Sequence, residues 1–383
     1  MKIALLTDGI FPDVMGGMQK HSYFLAKFLS RSGVEVDLYY TSPDASLETI
    51  QNRFTEDEKK LIQFYRVDFP KSIRLPGHYI RSSWKYSQQL YQLFLKLDAP
   101  DLIYAQGLTG WTFADANKRG KLNTPLLTNL HGLEMFQQAL NARTKMEQKL
   151  LRGPARFIIQ HSDYTYSLGG RLTEILEKFV AENRIIVQSI GLDASWLGNE
   201  ISAPEKKNLS TRFVFVGRNE ARKGLQYLFE AAASLDNHNT QIDFVGPIPE
   251  KEQVSSPNFT YHGAISDEDQ LKKILDNSDV LLCPSLAEGM PTVILEAMAR
   301  GLAVIASDVG AVAELVSAKT GWLIKPGSVD ELAQAMNAAC NDSSLEQKKS
   351  AAQQLIRSRY TWERVVEDTI AGFKDILRAK SGN

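Results

Sequence analysis

The stretch Asp279-Val-Leu-Leu-Cys-Pro-Ser-Leu-Ala-Glu-Gly-Met-Pro-Thr-Val-Ile-Leu-Glu-Ala-Met-Ala-Arg-Gly301 decides how this chain is read. It begins with a short apolar run behind a polar boundary, the pattern of a strand buried on both faces. Pro291 suits the first position of a helix, where its fixed φ fits and no N–H is missed. Val293, Ile294, Ala297 and Met298 then share one face, and Gly301 stops the helix. Strand, tight turn and helix start bring free amides, those of Gly289, Met290 and Thr292 among them, to one lip that suits a phosphate. Two carboxylates, Glu288 and Glu296, stand on that lip. A carboxylate repels phosphate but accepts hydrogen bonds from the hydroxyls of a sugar or ribose. Anion donors beside hydroxyl acceptors fit a nucleotide sugar.

Working outward, Thr211-Arg-Phe-Val-Phe-Val-Gly217 reads as an earlier strand of the same alternation. Arg218, Lys223 and Gly224 follow it, ahead of a helix over Leu225–Leu235. Two cations at a strand exit are often mere surface charges, but here the strand-end Gly217 and the helix start put them where an anion would sit. Further strands are expected at Gln241–Gly246, Phe259–Gly263, Ala303–Ala306 and Gly321–Ile324, with helices at Val329–Ala339 and Arg359–Leu377. Asp267 and Asp269 spell an Asp-x-Asp, which holds a metal in other enzymes. Ser266, followed by these acids and then by Leu271, Ile274 and Leu275, reads instead as a helix N-cap with first-turn acids.

The first half repeats the alternation. A strand at Ile3–Thr7, a helix over about 18–31 with Tyr23, Phe24, Phe28 and Leu29 inward, and a strand at Gly33–Tyr40 make a β-α-β unit. Gly16 and Gly17 precede that helix. By itself a glycine pair marks only a turn, but here backbone can also approach a diphosphate closely. Gln19 is candidate polar lining beside them. Strands are expected at Asp101–Ala105, Pro125–Leu130 and Arg156–Gln160, and another over Arg184–Asp193. His131 follows the Pro125 strand at its carboxyl end, where open α/β sheets bind ligands. Glu134 is read as a local cap or pair, and His161 as structural. The polar stretch 194–210, with Pro204 and a lysine pair, reads as an interdomain linker.

A chain of 383 residues, 43% hydrophobic and 23% charged, has room for two soluble globular domains. Formal net charge is −1, which gives no field suited to nucleic acid. Charge is uneven: residues 1–195 carry 24 basic against 20 acidic side chains, and residues 196–383 carry 20 against 25. Two cysteines, Cys283 and Cys340, make no disulfide or metal framework and suit a cytoplasmic protein. Met1–Asp8 reads as a first strand, not a signal peptide. Residues 69–97 contain no acid, and carry Lys71, Arg74, Arg81, Lys85 and Lys96 among Phe69, Tyr79, Trp84, Tyr86, Tyr91 and Phe94. The plainer reading is a solvated helix with an aromatic inner face. The functional one is an interfacial patch for anionic lipid headgroups or an anionic acceptor.

Glu288-Gly-Met-Pro-Thr-Val-Ile-Leu-Glu296 resembles the E-x7-E element of glycosyltransferase family 4, the retaining enzymes of the GT-B fold ("glycosyl transferases group 1"). Gly301–Gly310, Glu314-Leu-Val and Gly321-Trp-Leu-Ile match its usual continuation, and Gly217-Arg-x4-Lys-Gly224 resembles its diphosphate clamp. His131-Gly-Leu-Glu134 matches its His-Gly-x-Glu stretch. Gly191-Leu-Asp193 resembles the end of its last first-domain strand, with Ser189-Ile190 departing from the usual Pro-Asn. The resemblance is specific over about 211–325 and diffuse over 40–120.

What it implies is an α/β chain of two facing Rossmann-like, doubly wound domains around a deep interdomain cleft. Residues 1–195 form the acceptor-side domain and 196–361 the donor domain, with a C-terminal helix of about 362–383 packing back on the first near Trp362. The implied reaction moves a sugar from a UDP- or GDP-sugar to a hydroxyl with retained configuration, in cell-surface polysaccharide or glycolipid synthesis. Arg218, Lys223, Glu288 and His131 would be catalytic, with His131 by the reactive carbon. Gly16, Gly17, Gly217, Gly289, Met290, Pro291, Thr292 and Glu296 would bind the donor. No residue is an evident nucleophile, so a front-face route is implied, without metal or other cofactor. The acceptor would be a saccharide or lipid-linked saccharide, and the site cytoplasmic, with peripheral membrane contact through 69–97 as the functional reading of that patch. Two alternatives stay open: a nucleotide-sugar epimerase or hydrolase of the same fold, and a non-catalytic sugar-nucleotide-binding partner.

Overall fold

The computed structural model describes residues 1–70, 77–199, 210–235 and 240–381. The chain forms two units, Met1–Gly191 with Trp362–Asn383, and Leu192–Thr361. Each has its own parallel sheet.

In the first unit the order is β1 (Lys2–Leu6), α1 (Gly17–Arg31), β2 (Glu35–Tyr40), α2 (Leu47–Gln51), α3 (Glu56–Leu61), β3 (Ile62–Arg66), α4 (His78–Phe94) and β4 (Leu102–Gln106). Next come α5 (Trp111–Lys118), β5 (Leu126–Asn129), α6 (Ala142–His161), β6 (Tyr164–Ser167), α7 (Arg171–Leu176) and β7 (Ile185–Val187). The strands lie in the order β3-β2-β1-β4-β5-β6-β7, every pair parallel. Leu5 pairs with both Leu38 and Tyr104. The order reverses between β1 and β4, and there the flanking connections leave to opposite faces and open a crevice at the carboxyl ends.

The second unit runs β8 (Thr211–Val216), α8 (Leu225–Ala233), β9 (Thr240–Val245), β10 (Phe259–Gly263), α9 (Glu268–Asp276), β11 (Val280–Cys283), α10 (Thr292–Ala299), β12 (Ala303–Ser307), β13 (Gly321–Ile324), α11 (Val329–Asn341) and α12 (Leu345–Arg359). Its parallel order is β10-β9-β8-β11-β12-β13, reversing between β8 and β11. All four residues of β11 are buried, as its unbroken apolar run requires. Val280 pairs with Phe213 on one side and Ala303 on the other.

The final helix, α13 (Trp362–Ser381), belongs to the first unit. Trp362, Val365, Val366, Phe373 and Ile376 enter that unit's core, and the Trp362 ring stacks on Phe24 and Phe28 with centroids 5.7 and 5.8 Å apart.

Three expectations need correction. Arg156–Gln160 is not a strand but the last part of α6; the strand of this region is β6. Phe157, Ile158 and Ile159 form an apolar run that suits either element. Here Ile158 and Ile159 go under the sheet while the flanking Arg156 and Gln160 stay exposed. Second, the start of the supposed linker is folded: Trp196 is buried, the Gly198 amide donates to Ala299 O (3.1 Å) and Lys272 sits over the indole. The rest of that stretch, residues 200–209, lies outside the described residues. Third, the cap of α9 is Asp267, whose carboxylate accepts from the Asp269 amide, and not Ser266.

Within 69–97, Lys71 and Arg74 lie outside the described residues. Tyr86, Leu90 and Phe94 of α4 face inward, and the Tyr86 hydroxyl donates to Thr7 O at the end of β1 (2.9 Å).

Candidate active site

In the second unit the reversal point lies between the exits of β8 and β11, and the predicted donor residues gather there. Gly217 closes β8, its amide donating to Val245 O (2.9 Å). A short turn, Ala221–Lys223, then leads through Gly224 into α8. Gly224 has φ 72°, and a Cβ at this position would lie 2.0 Å from Pro284 O, so only glycine lets the two strand exits approach so closely. The Leu286 amide donates to Arg222 O (2.7 Å), which fastens the loops together.

That closeness makes the charged cluster. Lys223 Nζ donates to Glu288 Oε1 at 2.6 Å, with both side chains largely out of water. Arg222 Nη1 reaches Glu288 Oε2 and Ala287 O, each at 3.4 Å, and its Nε donates to Glu220 Oε2 (2.8 Å). The other Glu220 oxygen takes Arg218 Nε at 3.0 Å, and the Arg218 side chain is 71% exposed. Arg218 and Lys223, expected to act as a pair, thus have different carboxylates: Lys223 is held inside on Glu288, and Arg218 is parked at the rim on Glu220. Sequence reading missed Arg222 and Glu220. The signal for both was their place inside the Arg218–Lys223 turn.

The helix start is one residue later than expected. α10 begins at Thr292, with Pro291 as the residue before it (φ −67°). Gly289 O accepts from the Ala311 amide (2.8 Å), which ties the loop to the exit of β12, and Met290 is buried. Glu296 sits one turn into α10 and is 9% exposed, a buried acid on the helix that carries the lip. Beneath the loop, burial and then the nearby Glu288 charge push the Cys283 thiol up to about 11, so it is a neutral core group. Both cysteines are free.

The first unit holds the other predicted residues at its own reversal point. Gly16 precedes α1, and a Cβ on it would lie 2.1 Å from Gln19 Oε1. Without that Cβ, the Gln19 side chain folds back and its Nε2 donates to Asp8 Oδ1 (2.7 Å). Gly17 has open space where a Cβ would stand. Burial raises the Asp8 carboxyl above its usual range, against the hydrogen bonds from Gln19 and Tyr79. His131 lies two residues past β5 in the left-handed region, φ 55°. Its amide donates to Asn129 Oδ1, and its Nε2 meets Gln106 Oε1, each at 2.8 Å. The His21 ring stands edge-on to it, 5.3 Å between centroids. Loss of hydration, and then His21 beside it, hold the His131 imidazole well below its usual range. Glu134 is exposed, and Gln148 Nε2 donates to its carbonyl (2.8 Å). Among the described residues no three His, Cys, Asp or Glu side chains gather as metal ligands.

Two Rossmann-like parallel sheets, each with its candidate side chains at the reversal point, are the architecture of a GT-B glycosyltransferase. Comparison with known proteins agrees. Residues 15–196 match the profile of Glycosyltransferase Family 4, and residues 210–342 that of Glycosyl transferases group 1. The chain belongs to this family of GT-B glycosyltransferases. A putative teichuronic acid biosynthesis glycosyltransferase, TuaC of Bacillus subtilis, is 36% identical over 62% of this chain and 60% of its own. Sucrose-phosphate synthase of Thermosynechococcus elongatus has the same fold, with TM-score 0.77 and 19% identity over 99% of both chains. Anabaena HepE, solved with UDP and glucose, aligns with TM-score 0.66 and 19% identity over 98% of this chain and 100% of its own. No helix among the described residues is long and apolar enough to cross a membrane.

Proposed function

We propose that this glycosyltransferase moves a sugar from a UDP- or GDP-sugar to a hydroxyl of a saccharide or lipid-linked saccharide, with retention and without a divalent metal. One observation carries the reading: Lys223 and Arg222 converge on Glu288 where β8 and β11 part, beside the amides that open α10. The cations and amides suit a diphosphate, and Glu288 suits the hydroxyls of its sugar. As the glycosidic bond breaks, charge grows on the diphosphate. Arg218, exposed at the rim, and Lys223 are the groups to meet it. A diphosphate oxygen takes the acceptor's proton on the front face, so no carboxylate nucleophile is needed. His131 stands by the reacting carbon, Glu296 by the ribose, and Gly16 and Gly17 by the donor. That HepE of the same fold holds UDP and glucose supports a nucleotide-sugar donor, and TuaC supports a place in polysaccharide synthesis.

The test is turnover of radiolabelled UDP- and GDP-sugars with excess chelator, beside Arg218→Ala and Lys223→Ala. Label transferred to an acceptor with the anomeric configuration kept, and both variants slowed by about 30-fold or more, is expected. Activity lost to chelator and restored by magnesium or manganese, with both variants near wild type, would refute the metal-free clamp. Label released only as free sugar would instead mark a hydrolase. Membrane contact through 69–97 is tested by sedimentation with anionic vesicles. It should weaken with salt and on reversing Arg81 and Lys85, because such attraction is screened. Absent or salt-independent sedimentation refutes it.

A further inference from the structure

We propose that Gln106 is a positioning residue that fixes the tautomer of His131, so that the imidazole presents Nδ1 as a hydrogen-bond acceptor. The proposal rests on the reading that His131 stands by the reacting sugar, and it adds the form in which the ring acts.

Gln106 is the last residue of β4, beside the reversal point, and its side chain is wholly buried. A buried amide ordinarily satisfies both ends. Here Oε1 lies 2.8 Å from His131 Nε2, while Nε2 of Gln106 has no partner. An amide at such a position, with its one hydrogen bond given to a histidine, makes a poor core residue. A methionine of similar volume would fill the space without an orphan donor.

The same histidine is held from the other side. Its left-handed φ of 55° is unfavourable for a residue with a Cβ. The Asn129 carboxamide supports it, taking the His131 amide at 2.8 Å while its own Nδ2 donates to Tyr104 OH (2.9 Å). Adjacent strands β4 and β5 thus grip one residue, one by the ring and one by the backbone.

The chemistry follows from what each atom can do. A neutral imidazole has one N–H and one lone pair, and the partner of one nitrogen decides the state of the other. A carboxamide oxygen only accepts, so Nε2 of His131 carries the hydrogen and Nδ1 keeps the lone pair. The ring must also stay neutral. His21, among the described residues the one titratable group whose charge reaches the ring, is buried with both ring nitrogens unpartnered. Burial holds its own pKa near about 4, so it brings no proton of its own. His131 therefore accepts a hydrogen bond from a sugar hydroxyl and places no positive charge there.

The test is ¹H–¹⁵N correlation of the imidazoles in full-length protein labelled at histidine, beside Gln106→Met and Gln106→Glu. In the native protein His131 should show a pyrrole-like Nε2 and a pyridine-like Nδ1. Gln106→Met should mix the tautomers and lower turnover by about 10- to 100-fold at every pH, the range known for partners that orient a metal-bound imidazole. Gln106→Glu keeps an acceptor on Nε2–H but raises the ring's pKa. Its turnover should fall at low pH and return as the pH rises, a recovery that a packing role for Gln106 would not produce. A native Nδ1–H tautomer, or one unchanged in Gln106→Met, overturns the proposal. So does full turnover in folded Gln106→Met. Full turnover in His131→Ala refutes the role of His131 itself, and the spectra, which need no activity, tell that failure apart from a failure of Gln106 to hold the ring.

Discussion

Glu288 is the residue on which the proposed donor site turns, because two cations share its two oxygens. Removing Lys223 takes the close cation from a buried carboxylate, and takes a cation from the proposed diphosphate site. Lys223→Ala should therefore lose roughly 2–4 kcal/mol of transition-state stabilisation, about 30- to 1000-fold in kcat/KM. Arg218→Ala should fall in the same range while leaving Glu288 in place. Glu288→Gln should lose turnover with little change in affinity for free nucleoside diphosphate. Glu296→Gln should weaken the free diphosphate and the sugar donor alike, by about 1–2 kcal/mol, since ribose is common to both. Calorimetric titration with UDP, GDP and their sugars separates the two acids. If Glu296→Gln spares the diphosphates and harms only the sugar donors, Glu296 belongs to the sugar. At this scale the sequence was legible: Glu288, Lys223 and Arg218 stand at strand exits that the pattern located. The division of Glu220 and Glu288 among three cations was not legible, because it depends on which way each side chain turns.

At the scale of elements, what matters is how closely two strand exits approach. Gly224 permits it through a positive φ and an absent Cβ. Gly224→Ala would press a methyl group on Pro284 O, a backbone atom with little room to yield, so the loops must part. The variant should lose more than about 1 kcal/mol of stability and bind nucleoside diphosphates more weakly. A melting temperature and affinity both equal to wild type would refute the close approach. Helix α6 shows the limit of local reading. The apolar Phe157-Ile-Ile159 run argued for a strand, yet it lies in a helix that also takes in Pro154. The helix continues because its 20 residues offer the unit a long inner face, with Ala155, Ile158 and Ile159 buried on it. Tertiary packing outweighed the local signal.

For the whole molecule, the first unit is discontinuous, and its core needs residues from the far end of the chain. Trp362, Val365, Val366, Phe373 and Ile376 contribute on the order of 1.5–3 kcal/mol each when buried, so a chain ending at Thr361 should lose the first unit's folding. Limited proteolysis checks this: the second unit should survive as a fragment while the first is degraded. Acid should also strike the first unit. Burial holds His21 near about 4, against an ordinary 6.5, and His131 is lowered in the same direction. The unfolded chain takes up protons that the folded chain refuses, so stability is full above about pH 6.5 and is lost as the pH falls towards 4. His21 alone accounts for up to ~3 kcal/mol. His21→Phe should lessen the loss in thermal unfolding followed from about pH 7.5 to about pH 5. A loss undiminished in that variant would show that His21 does not carry it.

By itself the sequence determined the alternation of strands and helices, the family, and the residues at the two reversal points. Apolar runs, glycines at turns and charges at strand exits are local facts, and a parallel sheet brings its strand ends to one edge whatever the details. Only the tertiary structure decided that α6 runs on through Arg156–Gln160, that Trp196 is buried rather than part of a polar linker, that Arg222 joins Lys223 on Glu288, and that Gln106 faces His131. Each of these depends on side chains far apart in the chain competing for the same buried space or the same oxygen, and spacing along a sequence does not record which partner wins.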